Sequence, residues 1–160
     1  LWFLQRLMAE WADEGDEQQY EPLLAAAERA EIQTVIPVDA PEFQNPKSMQ
    51  QAIRGYCERQ ALDVPQTKAD LTRVVLQSLA AKYAEATQAL NAMLPEPIKK
   101  LHIIGGGSQN KLLNRLTQQA LGIPVEAGPV EATAIGNILT QALAKGEVAD
   151  IHEMRSIAIV

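Results

Sequence analysis

Leu1, Leu4, Leu7, Met8 and Trp11 recur at intervals of three and four, which places one apolar face on an opening helix. Trp2 and Trp11 share that helix and read as core or interface residues. The run Asp13-Glu14-Gly15-Asp16-Glu17 then ends it with charge and glycine and reads as solvated. Pro22 to Ala30 predicts a second short helix, with proline tolerated in the first turn. Glu31 to Phe43 carries Thr34, Val35 and Ile36 between prolines and reads as an extended loop. Asn45 and Pro46 supply an N-cap and a first-position proline, predicting a helix from Pro46 to about Gln60. Thr67 and Asp70 fit a capping box. Leu71, Val74, Val75, Leu79, Tyr83, Ala86, Leu90 and Met93 continue from it as one apolar stripe, so a long core helix is predicted from Thr67 to Met93, stopped by Pro95 and Pro97.

The pattern changes after residue 100. Residues 101–104 form a short apolar strand that runs into Gly105-Gly106-Gly107. Asn110 to Leu121 is amphipathic and ends at Gly122, a natural left-handed stop. Residues 123–126 predict a second short strand, and Gly128-Pro129 a turn. Glu131 to Ala144 predicts a further helix with Ile135, Ile138, Leu139, Ala142 and Leu143 inward. Strand, glycine turn, helix, strand, helix is an α/β arrangement. Two strands of about four residues make a poor sheet alone, so partner strands are expected in a longer polypeptide. The opening without methionine and the apolar Ile157-Ala158-Ile159-Val160 ending carry the same expectation.

At 160 residues with 47% hydrophobic and 21% charged residues, the chain has the length and composition of a globular domain. Lys and Arg total 14 against 20 Asp and Glu, a net charge of −6, which argues against a binder of nucleic-acid backbones. Aromatics at 4% argue against base-stacking platforms for single strands. Cys57 stands alone and forms no intrachain disulfide, in keeping with a reducing, cytoplasmic setting. His102 and His152 have no metal-ligand spacing, and no apolar run approaches the ~20 residues of a membrane span.

The glycine triplet is the first candidate for chemistry. Glycines at a strand end let backbone approach a ligand, and the helix beyond offers unpaired N–H groups at its N-terminus. A tight turn without a ligand accounts for the same residues. A dinucleotide fingerprint starting at Gly105 places Asn110 where its last glycine belongs, although Glu126 stands where a ribose-binding acid would. Asn110 fits a helix cap and also an amide facing an adenine edge; Ser108 shares the ambiguity. P-loop, HExxH, GxSxG and kinase HRD or DFG motifs are absent. His102 alternates with Leu101 and Ile103 and reads as structural. The glycine turn and Glu126 together keep a dinucleotide-dependent oxidoreductase fragment as one alternative, and a helical interaction module with an incidental glycine turn is another.

The run from Leu101 to Asn110 resembles the adenosine motif of the FGGY carbohydrate kinases, members of the actin–hexokinase–Hsp70 superfamily. Residues 122–125, 128–132 and 135–137 continue in the same register, and the opening Trp2-Phe3-Leu4-Gln5-Arg6, Asn45-Pro46 and Ser78-Leu79-Ala80 match one ketose-kinase branch over the whole chain. The resemblance implies an actin-like (ribonuclease H-like) α/β domain, incomplete and helix-rich, with residues 1–160 forming part of a C-terminal nucleotide-binding domain and the N-terminal domain absent. It implies ATP and Mg2+ in the complete enzyme and a ketose sugar as second substrate, with xylulose, fuculose and glycerol kinases as alternatives within the family. Carried over residue by residue, Gly105, Gly106 and Gly107 contact ATP, Gln5 matches a nucleotide-contacting glutamine and Asn110 a position able to face adenine. Gly136 matches a small residue where close packing is needed near the interdomain hinge. No catalytic residue is assigned, because the general-base aspartate and first phosphate loop of such kinases have no counterpart here. The chain alone is therefore expected to be inactive and to associate with itself through uncovered apolar edges, with no nucleic-acid or membrane partner.

Overall fold

The computed structural model describes residues 1–158; Ile159 and Val160, the end of the apolar C-terminal string, lie outside the described residues. Seven α-helices and two short strands occur among them. In chain order these are α1 (Trp2–Asp13), α2 (Tyr20–Arg29), α3 (Met49–Arg59), α4 (Lys68–Asn91), β1 (Leu101–Ile103), α5 (Lys111–Leu121), β2 (Val125–Ala127), α6 (Ala132–Ala144) and α7 (Ile151–Ala158). Two 3₁₀ turns, Pro41–Phe43 and Gly106–Gln109, complete the order.

The long helix α4 is the centre of the fold. The Thr67 side chain accepts from the Asp70 N–H and the Asp70 carboxylate accepts from the Thr67 N–H, the reciprocal capping box its sequence implies. One side of α4 packs on α5 and another on α2. Leu4, Leu7 and Trp11 of α1, Met49, Ile53 and Cys57 of α3, and Leu71, Val74, Val75 and Leu76 of α4 are all sealed from solvent. Each large apolar side chain so buried contributes about 1.5–3 kcal/mol relative to exposure. Phe43, on the 3₁₀ turn inside the stretch read as loop, joins this core and packs against Phe3 and Tyr56.

Helix α3 starts three residues later than Pro46. Ser48 is its cap, accepting from the Gln51 N–H at 3.2 Å. The Glu10 carboxylate of α1 accepts from the Ser48 hydroxyl and from the Met49 and Gln50 N–H groups. These acceptors satisfy orphan donors of the helix start, while the Pro46 carbonyl turns to Arg6. Helix α2 begins at Tyr20, so Pro22 falls inside its first turn.

The strands β1 and β2 are parallel and pair Leu101 with Val125, His102 with Glu126 and Ile103 with Ala127. The second strand lies at 125–127 rather than 123–126. Pro124 has no N–H to give a ladder and contributes only its carbonyl, which accepts from the Leu101 N–H at 3.0 Å.

Two apolar faces assigned inward are only partly covered in this chain. The α4 stripe is buried through Val75, but Leu90 is 52% and Met93 82% exposed. On α6 only Leu139 is buried, and Ile138 is 66% exposed, because α6 packs chiefly on α7. A two-stranded, three-residue sheet has too little area to cover either face. Gly136 likewise has no close neighbour: a Cβ built there meets nothing within 4 Å. Trp11 is core, whereas Trp2 is 44% exposed.

Candidate functional site

The glycine turn is built so that its backbone, not its side chains, faces outward. Gly105 sits at φ +77°, ψ −170°, a conformation that costs any residue with a Cβ. Both the N–H and the hydroxyl of Ser108 donate back to the Gly105 carbonyl, at 3.0 and 2.8 Å. The Asn114 amide of α5 donates to the Ser108 carbonyl at 2.9 Å. From the other side, the Gly105 N–H donates to the Pro129 carbonyl, and the Gly128 N–H to the Ile103 carbonyl. The turn is thus clamped between the first coil of α5 and the 128–129 turn, with Gly106 outermost and exposed.

Asn110 caps α5. Its side-chain oxygen accepts from the Leu113 N–H at 2.9 Å, and its amide nitrogen donates to the Tyr20 hydroxyl at 3.0 Å. It is wholly buried. Of the two roles its sequence position leaves open, the cap is the one realised here, and the amide does not reach an open surface.

A cleft of about 530 Å³ opens beside the turn and brings Gln5 of α1 together with the Gly106 and Gly107 backbone. Gly105 and Asn110 stand behind its wall rather than in it. Tyr20, Tyr83, Ile104 and Gln109 complete the parts that bear on chemistry. Tyr20 and Gln109 escaped assignment from sequence. Tyr20 lies just ahead of the helix start read at Pro22, and ninety positions separate it from its partner Asn110. Among the described residues, no charged side chain lines this cleft. Apolar walls, two phenol rings and two carboxamides suit a flat, uncharged, hydrogen-bonding group better than a phosphate chain. Burial pushes the Tyr20 phenol above its ordinary value of 10.0, and the hydrogen bond from Asn110 works in the opposite direction.

Glu126 lies elsewhere in the electrostatic layout. Lys100 reaches its carboxylate at 2.7 Å and the His102 ring, across the strand pair, stands 3.7 Å away. The Lys100 hydrogen bond holds this exposed carboxyl below the usual carboxylate range. His102 is therefore an outward residue beside an acid. A second cleft, of about 400 Å³, lies between α2 and α5 and is lined by both signs of charge, including the ion-paired Arg115 and Glu28. Among the described residues, no three His, Cys, Asp or Glu side chains converge as a metal site, and no helix is long and apolar enough to cross a membrane.

Comparison with known proteins gives the family. Residues 1–145 match the model of the FGGY family of carbohydrate kinases, C-terminal domain. A rhamnulokinase of Bacteroides thetaiotaomicron is 42% identical over 158 residues, covering 98% of this chain and 32% of that protein. A rhamnulokinase of Pectobacterium carotovorum is 42% identical over 156 residues, and one of Yersinia pestis 39% over 157. The chain spans about a third of the length of these curated relatives. With a glycine turn clamped at the end of β1, an uncharged cleft beside it and a family match over most of its length, the chain belongs to the FGGY carbohydrate kinases, as C-terminal-domain sequence.

Proposed function

We propose that this chain is the ATP-binding portion of a sugar kinase that converts ATP and L-rhamnulose to ADP and L-rhamnulose 1-phosphate. The observation that carries the reading is the cleft where Gln5 and the Gly106–Gly107 backbone meet, although a hundred residues of sequence separate them. In this reading the domain is actin-like and the cleft takes the adenosine end of ATP. Gln5, Gly106 and Gly107 contact the nucleotide. Gly105 and Asn110 give the turn its shape from behind. The names of the relatives favour L-rhamnulose over the ketose and glycerol substrates of other FGGY kinases.

ATP's phosphates, Mg2+ and the sugar belong to parts outside this cleft. It has no charged side chain to hold phosphate, and the described residues offer no converging metal ligands. No chemical step is assigned to this chain, since phosphoryl transfer needs several elements positioned together. What the chain supplies is placement of the nucleotide, with closure by a second domain completing the affinity.

The test is an ADP-release assay on the full-length kinase carrying this domain, with L-rhamnulose compared with xylulose, fuculose and glycerol. Preference for L-rhamnulose is the expected result. Turnover of another sugar alone, or none with ATP, contradicts the reading. The isolated 160-residue chain is expected to give no turnover. Its uncovered Leu90, Met93 and Ile138 are expected to drive self-association; a monodisperse monomer in light scattering contradicts that.

A further inference from the structure

Tyr20 has a feature that its place in α2 does not require. A backbone N–H can only donate, so the bond from the Leu113 N–H fixes the Asn110 side-chain oxygen as acceptor. That leaves the Asn110 amide nitrogen as the donor facing Tyr20. The phenol oxygen is therefore the acceptor in this contact, and its own proton has no acceptor among the described residues. The ring is half-buried against the core, so few rotamers remain open to it, and its exposed part forms wall of the cleft that also contains Gly106 and Gln5. Burial that raises the phenol's proton affinity keeps that proton in place.

We infer that Tyr20 is a nucleotide-contacting residue that sets specificity in this cleft. Its ring lies against the base, and its hydroxyl donates to an acceptor atom of the purine or ribose. Asn110 is the positioning residue, holding the ring at a fixed distance from the Gly106–Gly107 backbone while capping α5. The inference rests on the reading of the cleft as the adenosine site and deepens it by naming a contact that the glycine motif does not contain. The ligand class is an adenine nucleotide: the cleft offers a donor from Tyr20 and carboxamides from Gln5 and Gln109, with no charged side chain among the described lining residues.

The experiment uses the full-length kinase carrying this domain, with Tyr20→Phe and Tyr20→Leu compared with wild type. Wild type is first photolabelled with 2-azido-ATP and the labelled peptides are mapped. Label on peptides that contain residues 1–8, Tyr20, Tyr83 or residues 103–113 places the nucleotide in the cleft, and label confined to other peptides overturns both the cleft reading and this inference. With the cleft labelled, Tyr20→Phe, which keeps the ring and its packing, is expected to raise KM for ATP about fivefold through one lost hydrogen bond. Tyr20→Leu, which also removes the aromatic face, is expected to raise it by about tenfold or more. In both, KM for the sugar stays within twofold of wild type, a selectivity that general damage to the fold does not produce. An unchanged KM for ATP in both variants, or equal rises in KM for ATP and for sugar, overturns the assignment of Tyr20 and leaves the cleft reading standing.

Discussion

The amide nitrogen of Asn110 donates to the hydroxyl of Tyr20 across 3.0 Å, joining the first residue past the glycine turn to the first turn of a helix ninety positions earlier. The same side chain caps α5 through the Leu113 N–H. One buried carboxamide therefore fixes both the start of a helix and the distance between two walls of the cleft. Asn110→Ala removes the cap and opens a buried polar void, and is expected to cost about 2 kcal/mol. Asn110→Asp keeps the capping oxygen and loses the donor to Tyr20, so it should cost less than alanine near neutral pH. Urea unfolding of the three proteins checks this order; an alanine variant within about 0.5 kcal/mol of wild type, the scale of a neutral surface change, contradicts it.

Helix α3 ends in a left-handed residue that is not glycine. Ala61 has φ +52°, and the Leu62 N–H reaches back to the Cys57 carbonyl at 2.9 Å while the Ala61 N–H reaches Glu58. This is a Schellman end, where glycine escapes the Cβ penalty. Ala61→Gly is expected to stabilise the protein by about 1 kcal/mol, the net of that relief and the greater freedom of unfolded glycine. A lowered melting temperature contradicts it.

Adjacent glycines of the turn should fail in different ways. Gly105 needs its positive φ, and a Cβ there meets no neighbour, so the cost of Gly105→Ala is backbone strain of about 1–3 kcal/mol. Gly106 has no such φ and an equally open Cβ position, yet it lines the cleft. Gly106→Val is expected to leave the melting temperature near wild type and to abolish ATP binding in titration calorimetry of the full-length kinase. Equal stability loss in both variants, or wild-type ATP affinity in Gly106→Val, contradicts this separation.

Tyr20 links stability to alkaline pH. Its folded-state value is raised, with burial as the chief cause. The folded form thus binds the phenol proton more tightly than the unfolded chain does. Its contribution is fully present below the ordinary value of 10.0 and is lost as pH rises through the folded value. Unfolding curves should show a decline in stability above about pH 10 that is smaller in Tyr20→Phe. Identical pH profiles for the two proteins contradict this.

The elements that read clearly from sequence are those whose signals are local. The Thr67–Asp70 box lies within one turn and set the start of α4, and Gly122 at φ +68° ends α5 as its position implies. The start of α3 was obscured because half of its cap comes from Glu10, thirty-nine positions before Met49. The second strand shifted because parallel register, not the apolar run, decides which residues pair. Ile138 and Leu90 show the converse failure: their periodicity marks a face that needs covering, and periodicity does not say which polypeptide covers it. The cleft wall was legible where it is carried by a motif, as at Gly106 and Gly107. It was illegible at Tyr20, where only the packing of α2 against α4 and the bond from Asn110 bring the ring to the turn.

A crystal of the full-length kinase soaked with a non-hydrolysable ATP analogue gives the most direct measurement. The expected density places the base between Tyr20, Gln5 and the Gly106–Gly107 backbone, with the phosphates leading away from the uncharged walls. Density for the base between α2 and α5, against Glu28 and Arg115, with the glycine cleft empty, would contradict the adenosine site described above.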